Sequence, residues 1–371
     1  DLKAANPALR VVLTGCSVRA DNVATLPQRY PAVDLFLRPD EEPELTARLG
    51  LGGPTTPEAL GAAGFERVGR SIAATADRLP RTRAVAVGEG SIARSGGAKA
   101  WVPIVYGCDK TCTYCIVPFA RGPERSRPFD DIVAEVRTLA ASGYRELTLL
   151  GQNVNSYGHD LPPDPRFETL ESQRTLGRKQ DRAGRPDIAA LLRAIDAIRD
   201  DGRPGIPRVR FVTSHPWDLT DRLIEAMAEC ESVCEHLHLP VQSGDDEVLA
   251  RVNKGETFET TRKALDKLQE AGIKRSVMIL NGLGGQALSR QHAANSAALM
   301  NATQPEYLAT LVVSFPQGEA RFRENFPDFE PLSVLGLMQE MEQLLSQLEL
   351  KRTIFRSDHA SNWLILRGTL G

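Results

Sequence analysis

Six short apolar runs, at residues 101–106, 146–150, 208–213, 236–240, 275–281 and 307–314, alternate with segments whose hydrophobic residues recur three and four apart. Each run except the last is followed by a polar or glycine turn. Strand, loop and helix repeated in this way point to a parallel sheet covered by its own crossover helices. We therefore expect an α/β fold whose centre is a partial six-stranded (β/α)6 barrel. The helices are individually legible. Phe129, Ile132, Val133, Val136 and Leu139 share one face, as do Ile188, Leu191, Leu192, Ile195 and Ile198. Gly143 stops the first of them.

The organisation outside this pattern is looser. A strand at residues 10–13, a turn at Gly15 and further alternating stretches look like part of an α/β unit, which we assign to residues 1–92. The chain opens on Asp1 with its first strand almost at once, so we expect upstream sequence to be absent. A Gly/Pro/Thr stretch lies at residues 52–57, and a second loose region at 88–97 marks a candidate boundary, giving a barrel domain over 93–330 and a helical extension over 331–371. A polar stretch at 156–186 reads as a surface insertion. Its Arg174, Arg178, Lys179, Arg182 and Arg185 are either a solvated loop or a contact for phosphate. Against 45 Lys+Arg stand 48 Asp+Glu, so net charge gives no global footprint for nucleic acid. No apolar run is long enough to span a bilayer and no signal sequence is evident, so a cytoplasmic location is expected.

Chemistry concentrates in the loop after the first barrel strand. There Cys108, Cys112 and Cys115 are spaced C-x3-C-x2-C, three of the six cysteines in the chain. A closed structural zinc site takes four ligands, whereas three thiolates on a [4Fe-4S] cluster leave one iron open to a small molecule. In a parallel barrel such loops form the active face. A zinc knuckle and unrelated buried thiols remain the alternatives. Cys230 and Cys234 form a second C-x3-C, which we read as structural or incidental thiols, with replacement cluster ligands as the alternative. His292, His359 and Arg356 are either a polar site near the barrel mouth or ordinary surface and packing residues.

The triplet resembles the signature of the radical S-adenosylmethionine (SAM) enzymes. The resemblance implies that Cys108, Cys112 and Cys115 hold a [4Fe-4S] cluster whose open iron chelates SAM, and that Tyr114 lies by the adenine. Four blocks narrow it: GCDKTCTYCIVPFARGPERSRP at 107–128, LLGQNVNSYG at 149–158, TSHPWDL at 213–219 and HLPVQSG at 238–244. In this order they resemble the tRNA methylthiotransferases that act on isopentenyl-adenosine beside the anticodon. The LTGC block at 13–16 is similar to a cysteine motif of that family's N-terminal domain, making Cys16 a candidate ligand of an auxiliary [4Fe-4S] cluster. Gly151, Gln152 and Asn153 follow the second strand, where a glycine permits close approach and amides can orient the cofactor's ammonium. Ser214 and His215, Gln242 and Ser243, and Asn281 and Gly282 follow the next three strands. They are contacts for cofactor or base, or strand-end turn residues. Arg121, Arg125 and Arg127 are either anion ligands or a solvated helix start.

The likeness has gaps. Cys16 is the only thiol before the triplet, and one thiol cannot hold a cubane. Beyond about Gly255 the motifs stop: ILNGLGG at 279–285 stands where a GFPGET-type turn belongs. HAANSAALMN at 292–301 and FRSDHASN at 355–362 look more like another radical SAM group. The small C-terminal β-barrel that grips tRNA in the methylthiotransferases is not expected here. The reading is radical methylthiolation of tRNA at carbon 2 of isopentenyl-adenosine, with a flavodoxin- or ferredoxin-like reductant and neither membrane nor DNA as partner. A radical SAM enzyme of small-molecule substrate and a non-enzymatic metal-binding module are the alternatives.

Overall fold

The computed structural model describes the chain except for residues 1–5, 7–8, 16, 20–21, 39–40, 42–43, 50–96, 169–173, 176–177, 180–182 and 316–318. Two compact units are distinguished, one formed by residues 1–96, 106–110 and 116–128, the other by 97–105, 111–115 and 129–371. In the first, strands Val12–Leu13 and Leu35–Phe36 pair in parallel. Most of the α/β domain expected over 1–92 lies outside the described residues.

All six expected strands are present in the second unit. They are β1 (Lys99–Pro103), β2 (Glu146–Leu150), β3 (Arg208–Phe211), β4 (His236–Gln242), β5 (Lys274–Asn281) and β6 (Tyr307–Val312). Each of β1, β2 and β3 lies parallel to its sequence neighbour in one sheet. A second sheet starts with β4, β5 and β6 in the same parallel sense. A single parallel bridge, Val209 to Val233, relates β3 to the residues leading into β4. The expected barrel is thus seen as two parallel sheets, and no closure of β1 on β6 is recorded among the described residues.

The sheets exist because helices cover them. Helix α1 (Phe129–Ala141) buries Ile132, Val133, Val136 and Leu139, the face its spacing predicts, and Gly143 beyond it takes φ +83°. Helix α2 (Ile188–Asp196) is capped by Asp187, whose carboxylate accepts the Ala190 N–H at 2.7 Å. Helices α3 (Asp221–Glu229), α4 (Phe258–Glu270) and α5 (Gly285–Thr303) follow in turn. Their apolar faces join Val102, Leu147, Leu149, Val209, Leu237, Leu239, Val277 and Ile279 of the strands in one core.

Two expectations need correction. Residues 331–371 are not all helical: after α6 (Val334–Ser346) come β7 (Thr353–Arg356) and β8 (Arg367–Leu370), parallel to β6 and antiparallel to β7 respectively. Residues 156–158, which open the supposed surface insertion, are buried, with Tyr157 fully so. The side chains of Arg174, Arg178, Lys179 and Arg182 lie outside the described residues.

Candidate active site

Cys108 belongs to the first unit, where its N–H donates to Gly122 O at 3.2 Å. Cys112 and Cys115 belong to the second unit, in a stretch held at several points. Thr113 N–H donates to Val252 O at 3.0 Å, and Asn253 Nδ2 to Thr111 Oγ1 at 2.6 Å. Arg321 Nη2 donates to the carbonyls of Thr113 at 2.8 Å and Cys115 at 2.6 Å. One guanidinium gripping two carbonyls of a turn fixes the backbone that carries both thiols.

The Cys112 Sγ lies 3.8 Å from His215 Nε2. On the far side of that ring, Nδ1 is 3.0 Å from Glu256 Oε1. Trp217 N–H points at Glu256 Oε1, 3.2 Å away, and at His215 Nδ1, 3.3 Å away. Cys112, His215, Glu256 and neighbouring Lys254 are all buried. Burial alone would push the Cys112 thiol up, but the His215 hydrogen bond and the Lys254 charge hold it below its ordinary value. His215 is opposed by burial and by Lys254, yet Cys112 and Glu256 raise it above its ordinary value. Both directions favour a more anionic sulfur beside a more cationic ring, and the thiolate is the form that ligates metal. Burial and the Cys112 and Cys115 charges push the Tyr114 phenol well up, so it stays protonated. Its ring packs against the cluster that contains Val248, Val252, Phe322 and Phe326.

The strand ends carry a second set of features. Thr213 after β3 and Gln242 at the end of β4 take φ +69° and +73°, the left-handed region that a β-branched or long side chain rarely adopts. Asn153 Oδ1, Ser214 Oγ and Gln242 Oε1, together with Thr113 Oγ1 in the cysteine loop, are buried and have no hydrogen-bond partner. An unmet buried polar atom costs about 1–3 kcal/mol, so three at successive strand ends and one in the cysteine loop suit a polar ligand that would satisfy them.

The other candidates divide. Asn153 also donates Nδ2 to Asp218 at 2.7 Å, and the Asn281 carbonyl accepts Val313 N–H at 2.9 Å. Gln152 is half-buried. At Gly151 a Cβ would run into Val105, so close packing of β2 on its neighbour already requires a glycine there. Arg121 and Arg125 stack over the Tyr106 ring within the first unit, at 5.0 and 5.3 Å. Cys16 lies outside the described residues. Cys230 sits in the hydrophobic core, its thiol pushed up to about 11 by burial and Asp196. His292 is buried against Ser243, whereas exposed His359 pairs with Ser361, so the structure gives them separate partners.

Glu256, Lys254 and Arg321 carry the site but escape a sequence reading. The first two are charged residues in a turn without periodicity. Arg321 stands more than 200 residues from the cysteines it steadies.

The radical SAM superfamily profile matches residues 102–296. The chain is 40% identical over 275 residues to the tRNA-2-methylthio-N(6)-dimethylallyladenosine synthase of Carboxydothermus hydrogenoformans, covering 72% of this chain and 51% of that protein. For the synthase of the same name from Clostridium botulinum the identity is 32% over 332 residues, 88% of this chain and 64% of that one. For that from Staphylococcus epidermidis it is 41% over 238 residues, 63% and 41%. The chain thus spans about half the length of the curated relatives it matches. The 332 aligned residues outnumber the 255 that end at Gly255, so the likeness continues past the last motif.

Proposed function

The chain belongs to the radical SAM superfamily, and on that premise we propose that it adds a methylthio group to carbon 2 of isopentenyl-adenosine in tRNA. The observation that carries the proposal is the 40% identity over 275 residues with a synthase of that name. Membership implies a [4Fe-4S] cluster and SAM. The residues present fit both groups: Cys112 is held toward the thiolate, and unpartnered polar atoms follow the strand ends.

In this reading Cys108, Cys112 and Cys115 are the cluster ligands. Bound together, cluster and SAM supply a 5′-deoxyadenosyl radical, the hard chemistry that side chains cannot provide. The protein's task is to bind, orient and keep water out. Asn153, Ser214 and Gln242 offer unmet polar atoms to the polar end of SAM. Tyr114, kept protonated in its apolar surroundings, presents a neutral aromatic ring to the adenine. Asn281 closes the same face at the end of β5. The two parallel sheets are read as one partial (β/α)6 barrel, with the Val209–Val233 bridge as its seam. The partners are tRNA, whose target base must be splayed out of its loop to be reached, and a cytoplasmic flavodoxin- or ferredoxin-like reductant.

Anaerobic reconstitution with iron and sulfide tests this, read as iron per chain, 5′-deoxyadenosine released, and the methylthio nucleoside in digests of tRNA bearing isopentenyl-adenosine. About four irons with both products are expected. SAM cleavage without tRNA modification would overturn the substrate, and absence of iron would overturn the chemistry.

A further inference from the structure

The His215 side chain is fixed from more directions than packing requires. Its backbone is clamped by Asn155, whose Oδ1 accepts the His215 N–H at 2.9 Å and whose Nδ2 donates to the His215 carbonyl at 2.8 Å. Its ring is held between Cys112 Sγ at 3.8 Å and Glu256 Oε1 at 3.0 Å. Glu256 is in turn fixed by the Trp217 N–H at 3.2 Å. The turn that brings Glu256 there closes over the Trp217 indole: Gly255 has φ +87°, and a Cβ on it would collide with that ring.

Counting donors decides where the protons are. A sulfur that ligates iron has no proton to give, so it can only accept, and Nε2 must carry the hydrogen that faces it. The Trp217 N–H is a donor only. The arrangement in which each donor faces an acceptor has Nδ1–H and the Trp217 N–H both donating to Glu256 Oε1, and Nε2–H donating to Cys112 Sγ. Carboxylate, imidazole and metal ligand in line is the arrangement by which an outer carboxylate orients a ring.

We propose that His215, oriented by Glu256 and Asn155, is a positioning residue that donates a hydrogen bond to the cluster sulfur of Cys112 and thereby sets how readily the cluster accepts an electron. The inference rests on the reading of Cys112 as a cluster ligand. Reduction adds one electron from the reductant to the cluster and moves no proton in this proposal. It makes the sulfurs more negative, so a donor at one of them stabilises the reduced form, and burial strengthens the effect.

The test is an EPR-monitored redox titration of the reconstituted chain and of His215→Phe, which removes the donor but keeps a ring. At a fixed applied potential the ratio of reduced to oxidised cluster is expected to fall about tenfold, equivalent to about 59 mV for a one-electron couple, with iron content unchanged. His215→Gln, which retains an N–H, should recover part of the shift. Where His215→Phe does not load iron, Glu256→Gln carries the test, with a smaller shift in the same direction. A loaded variant with the parental potential would overturn the inference alone. Absence of iron from the unaltered chain would overturn the ligand reading beneath it.

Discussion

The Glu340 carboxylate on α6 accepts the backbone N–H of Gly282, the residue after β5, at 2.6 Å. Its other oxygen accepts the Ser289 hydroxyl at 2.5 Å, and His292, bonded to Ser243 after β4, lies 3.9 Å away. A C-terminal helix therefore braces the ends of two neighbouring strands from within the core. Glu340→Ala strands a buried N–H and a hydroxyl, and is expected to cost about 2–4 kcal/mol. Glu340→Gln keeps one acceptor and should lose roughly half of that. Urea unfolding measures both, and an alanine variant as stable as its parent would show the brace to be incidental.

Arg275 is an equally buried cation, but one fully matched: it reaches both oxygens of Glu306, Gln269 Oε1, and the carbonyls of Thr303 and Gln304. Burial raises the Glu306 carboxyl, but Arg275 outweighs it and leaves it below its ordinary 4.5. A depressed carboxyl contributes stability that is complete above its unfolded value and fades as pH falls through the folded one. Between about pH 5 and 3 the parent should lose more stability than Arg275→Met, although the variant is the weaker protein at pH 7 by about 3 kcal/mol. Parallel acid titrations of the two would expose an error.

Thiol chemistry should separate the cysteines. Cys230, raised to about 11, is protonated and buried at pH 8, whereas Cys112 is held toward the thiolate. In metal-free protein iodoacetamide at that pH should spare Cys230, with Cys112 slowed by its burial but labelled on brief local opening. Cys230→Ala should then leave iron content unchanged. Peptide mapping that finds Cys230 modified first would reverse the assignment.

What the sequence reveals of this molecule is what periodicity and local spacing encode. The six strands and the apolar face of α1 follow from alternation and from recurrence at three and four residues. Cys108, Cys112 and Cys115 announce themselves because their ligand spacing is local. Gly151 was legible as necessary but not as to why: the space it leaves is claimed by Val105, a neighbour known only once β1 and β2 pair. The strands β7 and β8 were missed because four-residue runs such as Thr353–Arg356 carry little alternation of their own and are made strands by pairing with β6. Nothing local to Glu256 or Glu340 signals the histidines they face, which lie 41 and 48 residues away in sequence.

Arg321 gives the last test, because its guanidinium donates to two backbone carbonyls of the cysteine turn. Substituting alanine removes donors to the Thr113 and Cys115 carbonyls but no thiol, so it should loosen the site without emptying it. Two charge-assisted hydrogen bonds at about 1.5 kcal/mol each would, if both are lost, raise the population of the open turn roughly a hundredfold. Iron release from reconstituted protein to a chelator should therefore quicken by a factor between about ten and one hundred, while iron content at loading stays close to the parent's. Arg321→Lys, which can serve one carbonyl at a time, should fall between the two. Equal release rates for Arg321→Ala and parent would mean that Asn253 and Val252 alone hold the turn.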